Sequence, residues 1–403
     1  MEQSQKIQAN RLNHLKQMVG LFDLSKPLDL FIKEYFQQHK NFGSRDRRFY
    51  RNIVYNYFRL ANLKLDENIN YHLAATISGD NEFADYMGTL TLLEFPPNLD
   101  IENYLNITGK KAEDIYPFAK NISEQIDIKN WVNNFFNKTR VWVRVEKGNI
   151  NNVVAYLNNN NIPFANEKAN TFSFDTNVDV KDIAAKTSST IIVQDLSSQL
   201  AAGDIQLKED SKVWDCCAGS GGKSLMLHSR YPTANFFVSD IRTNILDNLR
   251  RRFQSSGIKD YAWNVVDLLS LNKQPITFNT LNLDHRPAIA INSFDTIIVD
   301  APCSGSGTWK RTPEQLKQFT EQSLSDYASR QIKILDNIIP YLKTNGKLIY
   351  MTCSIYKTEN EDIVNHFITE KKLVLINSQY YNCTDKGGDS IFKAELQIVS
   401  DKW

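Results

Sequence analysis

From Lys212 to the end of the chain, apolar runs of four to seven residues alternate with amphipathic helical stretches. A strand covered on both faces reads as a nearly continuous apolar run, and parallel strands need helical crossovers between them. The pattern therefore predicts a doubly wound, parallel, Rossmann-like α/β sheet. Strands are expected at 212–215, 235–239, 262–265, 295–299, 346–351, 373–376 and 391–399. Ligands in such a sheet bind beyond the carboxyl ends of the strands, so the residues that follow each strand carry the chemistry. Residues 270–292 fit no element and are expected to form an excursion before the fourth strand.

With 403 residues the chain exceeds one ordinary core. From Glu2 to about Phe95 the periodicity is helical, with Leu28, Leu30, Ile32 and Phe36, then Ile53, Val54, Tyr57, Phe58 and Leu60, as the apolar positions. Within it, residues 44–51 hold four arginines and two aromatics at an expected helix start. A capped, solvated helix face explains them better than a phosphate-contacting patch. Pro96 and Pro97 followed by the polar run 98–111 predict a loop or linker. Between Arg140 and Ile192 the order is strand (141–145), helix (150–157), short strands around Phe164 and 172–174, then helix (180–185). That is a small α+β module. The expected domains are 1–110, 111–192 and 193–403.

Composition narrows the class. The chain is 42% hydrophobic and 23% charged, as soluble globular proteins are. No apolar run approaches the ~18 residues of a membrane span. Residues 1–17 lack an apolar signal region, so the cytoplasm is expected. The five cysteines are odd in number, two are adjacent, and none forms a CxxC pair, which argues against a disulfide framework and against a metal site. A net charge of +1 neither demands nor excludes a polyanionic partner.

The first strand runs into Cys217-Ala218-Gly219-Ser220-Gly221-Gly222-Lys223, a glycine-rich turn whose backbone amides can approach a nucleotide-type cofactor. A phosphate-binding P-loop would need glycine at 217, and the dinucleotide fingerprint would need one at 224, where Ser224 stands. Asp240 ends the second strand, where an acid can accept hydrogen bonds from a ribose diol, and Asp267 after the third can meet an adenine edge. Either aspartate alone could be a helix cap. NAD and S-adenosylmethionine both carry adenosine, so these residues leave the two open.

Strands four and five end in Asp300-Ala301-Pro302-Cys303 and Thr352-Cys353-Ser354. A buried cysteine is ordinarily an inert small hydrophobe, but two at adjacent strand ends have a use in chemistry and none in hydride transfer. Methylation of cytosine at C5 needs a thiol, because that carbon is too electron-poor to attack a methylsulfonium. A thiolate adding to C6 makes the ring an enamine-like nucleophile. Asp300 is placed to hydrogen-bond the ring nitrogens of the adduct. Lys223 is placed to orient Asp300 or depress a thiol pKa, unless it is a solvated helix-start lysine.

These motifs, with Gln194-Asp195, Ser198-Gln199 and Gly387-Gly388-Asp389, resemble the Sun-domain family of RNA cytosine-C5 methyltransferases, especially the bacterial enzymes of small-subunit ribosomal RNA. The resemblance covers about 193–403 and is weak upstream. It implies a class I methyltransferase sheet, S-adenosylmethionine as cofactor and RNA as partner. By the same resemblance Cys353 is the nucleophile, Cys303 assists product release, and the cofactor lies against 217–223 with Asp240 and Asp267 on its adenosine and Asp300 near the reacting centre. Upstream it implies a small RNA-binding module and a NusB-like helical domain. The family's Ala-Ala-Pro-Gly-Gly-Lys becomes Ala218-Gly219-Ser220-Gly221-Gly222-Lys223 here, losing the proline but keeping the amides. A transfer-RNA substrate, a non-catalytic ribosome-assembly factor and a small-molecule methyltransferase are the alternatives. Basic segments 45–51, 250–252 and Lys310-Arg311 are candidate RNA contacts, and a monomer is favoured.

Overall fold

The computed structural model describes residues 2–97, 99–281, 286–371 and 373–398. The chain divides into two compact units, Met1–Asn137 with Thr308–Glu321, and Lys138–Gly307 with Gln322–Trp403.

The first unit is helical, with helices Glu2–Leu21, Leu28–Gln38, Ser44–Arg59, Glu67–Ser78, Asn81–Thr91, Ile101–Ile107 and Ile128–Phe135. Their ends carry ordinary stop signals. Asp66 accepts from the amides of Asn68 and Ile69, satisfying donors that an N-terminus leaves free, and Gly79 closes the same helix at φ 71°. Leu28, Ile32, Phe36, Ile53, Val54, Phe58 and Leu60 are buried as the periodicity predicts, whereas Leu30 is 43% exposed. The run 98–111, read as a linker, carries the helix Ile101–Ile107, which Asp100 caps through the Asn103 amide at 2.8 Å. Asn98 lies outside the described residues. Three apolar residues on two turns are too weak a period to register against flanking prolines. The arginine-rich start of Ser44–Arg59 is partly committed within the unit: Arg47 donates to the Phe42 carbonyl at 2.9 Å and Arg51 pairs with Asp29 at 3.1 Å. Lys310 is a correction to the expected RNA contacts, because it is only 2% exposed.

The second unit opens with strands β1 (Val141–Lys147), β2 (Phe164–Lys168), β3 (Thr171–Phe174) and β4 (Thr190–Val193). They form an antiparallel sheet in the order β2-β3-β1-β4. Helices Ile150–Asn159 and Val180–Lys186 bury Val153, Leu157 and Ile183 with its apolar side chains. Strand β4 is not among the expected elements; with one of its four residues buried, it shows no alternation to read.

Seven further strands make the main sheet: β5 (Lys212–Asp215), β6 (Asn235–Asp240), β7 (Tyr261–Val265), β10 (Phe294–Asp300), β11 (Leu342–Thr352), β12 (Leu373–Asn382) and β13 (Ser390–Ile398), with β8 (Ile276–Thr277) and β9 (Ala288–Ile289) as a separate short pair. Their order is β12-β13-β11-β10-β5-β6-β7. Successive residues feed opposite faces: Trp214, Phe237, Ile297 and Leu348 enter one core, Val213, Phe236, Ile298 and Ile349 the other. That double burial produces the continuous apolar runs.

Three features differ from the expected all-parallel sheet. Strand β13 is antiparallel to both β11 and β12. The short link after β12 turns through Gly387 at φ 74° instead of crossing over in a helix, so the strand must return reversed. Strand β12 continues to Asn382 through the polar residues Asn377, Ser378 and Gln379, which an edge strand can hold. Strand β11 begins at Leu342, and its pairing with β10 shifts register where Asn345, at φ 60°, makes Thr344-Asn345-Gly346 look like a turn in sequence. Val399, expected in the last strand, lies outside the described residues.

The excursion 270–292 holds β8 and β9; its residues 282–285 lie outside the described residues. Phe278 is fully buried, with its ring centroid 5.1 Å from Phe237 and 6.3 Å from Trp214. Asn279 exchanges two backbone hydrogen bonds of 2.8 Å with Trp263. The excursion therefore completes the core under β5 and β6.

At the first turn of the sheet, Gly221 sits at φ 80°, and a Cβ there would lie 2.6 Å from Leu249 Cγ. Gly221→Ala should therefore destabilise the fold by about 1–3 kcal/mol, from overpacking added to a left-handed backbone. The check is a urea-denaturation midpoint; a midpoint equal to the parent's would remove this account of the glycine.

Candidate active site

Strand β5 delivers its glycine turn to the carboxyl edge of the sheet. The Ala218 amide donates to the Ser239 carbonyl at 2.9 Å, the Gly221 amide returns to the Ala218 carbonyl at 2.9 Å, and Gly221 caps the helix Gly222–Arg230. Gly219 adopts φ 53° with open space where a Cβ would point. Beside it lies a cleft of about 650 Å³, lined among others by Cys217, Gly219, Asp240, Asp267, Asp300, Cys303 and Cys353. Seven of the residues singled out by sequence thus meet at one place. The others in the turn face elsewhere. Ala218 packs into the core, Ser220 accepts from Arg252 Nη1 at 3.5 Å, and Gly222 backs onto Gln194.

Asp240 is held by its own chain. Oδ1 accepts from Arg242 N and Nε, each at 2.9 Å, and Oδ2 from Gly219 N and Arg242 Nη2, each at 3.0 Å. Burial would raise this carboxyl, but Arg242 and the backbone donors outweigh it and hold it below the usual range. Asp267 accepts from Ser270 Oγ at 2.6 Å and from the Leu269 amide at 3.0 Å, and the Ser270 bond lowers its pKa. It therefore braces a turn while lining the cleft. Sequence reading passes over the apolar lining from Ile241, Val266 and Leu268. Strand-end aspartates announce polar contacts, but nothing local marks which neighbours close over an apolar ring.

Asp300 ends β10 and accepts from Lys223 Nζ at 2.6 Å. The lysine side chain is 11% exposed and the carboxylate 33%. Burial works against the charge on Lys223, yet Asp300 beside it holds the ammonium above its ordinary range. The solvated-lysine reading fails for Lys223, which is spent on the carboxylate.

Cys303 and Cys353 follow the ends of β10 and β11, and their sulfurs lie 3.3 Å apart. The Gly307 amide donates to the Cys353 carbonyl at 2.8 Å, and a Cβ on Gly307 would meet that oxygen at 2.9 Å and the Ser390 carbonyl at 2.6 Å. Only glycine lets these backbones approach so closely. The hydrogen bond from one sulfur to the other, burial and the nearby charge of Glu359 all raise the Cys303 thiol well above its ordinary range. Either sulfur can donate to the other. Cys216 and Cys383 are buried, and burial likewise raises both thiols.

The remaining motif residues act as struts. Gln194 accepts from the buried Arg144 of β1 and donates to Ser198 Oγ at 3.1 Å. Asp195 caps the helix Leu196–Gly203 through the Ser197 amide and accepts from the Asp389 amide at 3.2 Å.

A seven-stranded sheet in this order, with one reversed strand and a cofactor-type cleft at its carboxyl edge, is that of the class I methyltransferases. Residues 203–395, just under half of the chain, match the sequence profile of the family described as 16S rRNA methyltransferase RsmB/F. The chain is 30% identical over 181 residues to a "Probable ribosomal RNA small subunit methyltransferase B" of Bacillus subtilis, a match covering 45% of this chain and 37% of that one. To the ribosomal RNA small subunit methyltransferase B of Xanthomonas campestris it is 26% identical over 232 residues, 57% of this chain and 50% of the other. The matched segments thus span half or less of these relatives. Among solved structures, that of PH0851 aligns at TM-score 0.66 and 19% identity over 94% of this chain and 96% of its own. That of NSun6 from Pyrococcus horikoshii aligns at TM-score 0.52 and 16% identity over 70% of this chain and all of the other. Both show the likeness of fold.

One further group at the site is ionisable. Asp215, at the root of the glycine turn, is fully buried, accepts from Ser224 Oγ, and has no partner on Oδ1 among the described residues. Burial pushes its carboxyl up to about 7, against the pull of Ser224 and Lys223. The unfolded value is near 3.8, so the folded chain holds this proton longer; the associated stability is full below about pH 3.8 and lost as pH rises through about 7. Asp215→Asn removes the titration and should stabilise the protein, relative to the parent, more at pH 8 than at pH 5. Denaturation midpoints at both pH values test this, and an equal difference at the two would refute it.

Proposed function

We propose that this protein is an S-adenosylmethionine-dependent RNA cytosine-C5 methyltransferase acting on small-subunit ribosomal RNA through a covalent Cys353–C6 adduct. The observation that carries the proposal is the pair of thiols 3.3 Å apart beside the Lys223–Asp300 ion pair, on one cleft with the glycine turn. The match of residues 203–395 to the RsmB/F family and the names of the relatives support the RNA substrate. The reading includes a cytoplasmic location, no metal, and the division 1–110, 111–192 and 193–403, with the middle module on RNA. No helix among the described residues is long and apolar enough to cross a membrane.

The residues fit S-adenosylmethionine. Asp240 and Asp267 offer carboxylate oxygens, Ile241, Val266 and Leu268 offer an apolar slot, and the open space above Gly219 lets backbone approach a ligand. Cys217 lines that cradle beside Gly219, and Ala218, Ser220, Gly221, Gly222 and Lys223 fix the turn behind it. The bound cofactor supplies an electrophilic methyl group on a sulfonium.

The target cytosine must leave its stack to reach the cleft. Cys353 forms a bond to C6 as the C5–C6 double bond shifts its electrons toward C5, giving a carbon nucleophile. Asp300, fixed by Lys223, holds the ring through its nitrogens. Once C5 is methylated, its proton leaves to a base and the Cys353–C6 bond breaks, restoring the aromatic ring. Cys303, with its sulfur 3.3 Å from that of Cys353, is within reach of the departing sulfur and is assigned the release role.

Cys353→Ser should reduce methyl transfer by a factor on the order of 10⁴ or more, as removal of a nucleophile does; full activity would show that another group attacks. Cys303→Ala should accumulate a heat-stable protein–RNA adduct on a denaturing gel. Bisulfite sequencing of RNA from cells with and without the gene should show one protected cytosine lost from small-subunit ribosomal RNA. A loss in transfer RNA would change the substrate only, and no change at any cytosine would overturn the proposal.

A further inference from the structure

Beneath the two thiols lies a polar cluster that the reaction does not consume. Glu359 is 0% exposed. Its Oε1 accepts from the Ser304 amide at 2.7 Å and Gln331 Nε2 at 3.2 Å, and its Oε2 from Ser304 Oγ and Ser354 Oγ, each at 2.5 Å. Ser304 follows Cys303 and Ser354 follows Cys353, so a single carboxylate grips the residue next to each thiol. Ser306 Oγ bonds to both serine hydroxyls at 3.1 Å and accepts from the Ile355 amide at 2.9 Å, closing a triangle. Below it, Tyr350 donates to the Glu359 carbonyl at 2.6 Å, and Asn360 ties Thr352 to the Ser354 carbonyl.

The four donors that meet the Glu359 carboxylate are all neutral. Burying a carboxylate without a cation is costly, and burial indeed raises this carboxyl against the pull of its hydrogen bonds. A site that needed only packing would be filled more favourably by an apolar residue. The placement makes sense as a clamp, because a carboxylate is acceptor-only and can receive four converging donors at once.

We propose that Glu359 is a positioning residue whose carboxylate, bonded to Ser304 and Ser354 together, clamps the Pro-Cys turn to the Thr-Cys turn and so sets the Cys303–Cys353 separation. This deepens the reading that both thiols serve one base, and rests on it for its purpose. The separation itself can be measured without RNA or cofactor. Phenylarsine oxide exchanges its As–O bond and two S–H bonds for two As–S bonds with release of water, and it bridges only sulfurs that are nearly in contact.

The full-length protein should retain one equivalent of arsenical by intact mass, and Cys303→Ser and Cys353→Ser should each lose it. Glu359→Gln places a donor against converging donors and should weaken retention at least tenfold without a comparable loss of melting temperature; Glu359→Asp, which keeps the acceptors, should recover part. In RNA methylation the same Gln variant should lower kcat and leave KM for RNA unchanged. Should Glu359→Gln fail to fold, the double variant Ser304→Ala/Ser354→Ala removes two clamp bonds and is expected to weaken retention in the same way. Parental retention in either folded variant, or no retention by the parent, overturns the clamp. Because the arsenical assay needs no substrate, a failure of the methylation reading would leave its outcome standing.

Discussion

The site depends on β10 and β11 lying side by side in parallel register. Asp300 pairs with Met351, and the Ala301 amide donates to the Met351 carbonyl at 2.8 Å. Two chains leaving a sheet at one level must turn over the same edge. Cys303 and Cys353, fifty residues apart, therefore emerge together, and the missing Cβ of Gly307 lets the second backbone close on the first. A one-residue slip of either strand would invert that strand's side chains and carry its thiol away from the other, because side chains alternate along a strand. The apolar residues on both sheet faces resist that slip.

Three buried or half-buried carboxylates around this edge are balanced in three ways. Asp300 has a cation, Lys223, whose ammonium it holds above the ordinary range. Glu359 has, among the described residues, no cation but four neutral donors. Asp215 has one hydroxyl and, among the described residues, one oxygen without a partner, so burial dominates and its carboxyl rises to about 7. The thiols sit within this arrangement. The neighbouring sulfur, burial and the charge of Glu359 together raise the Cys303 thiol.

Much of this architecture is legible in the amino-acid sequence. Double burial of the sheet writes its strands into the chain as apolar runs, and the strand ends point to Cys217, Asp240, Asp267, Asp300, Cys303 and Cys353. The direction of β13 is not legible, because an apolar strand reads alike in either sense. Phe278 escapes notice because one buried aromatic in an irregular stretch has no period. Lys310 misleads because a basic pair looks like surface, and burial of a long side chain is decided by what packs around it.

By itself the sequence determined which residues could do chemistry and the strand after which each would stand, since periodicity and turn residues are local properties of the chain. Tertiary structure decided what they do to one another: that Lys223 meets Asp300, that the thiols come within 3.3 Å, and that Glu359 binds the serine beside each. Those relations join residues up to 77 positions apart. They arise only when strands pair and burial removes the water that would otherwise satisfy each group, which no local pattern records.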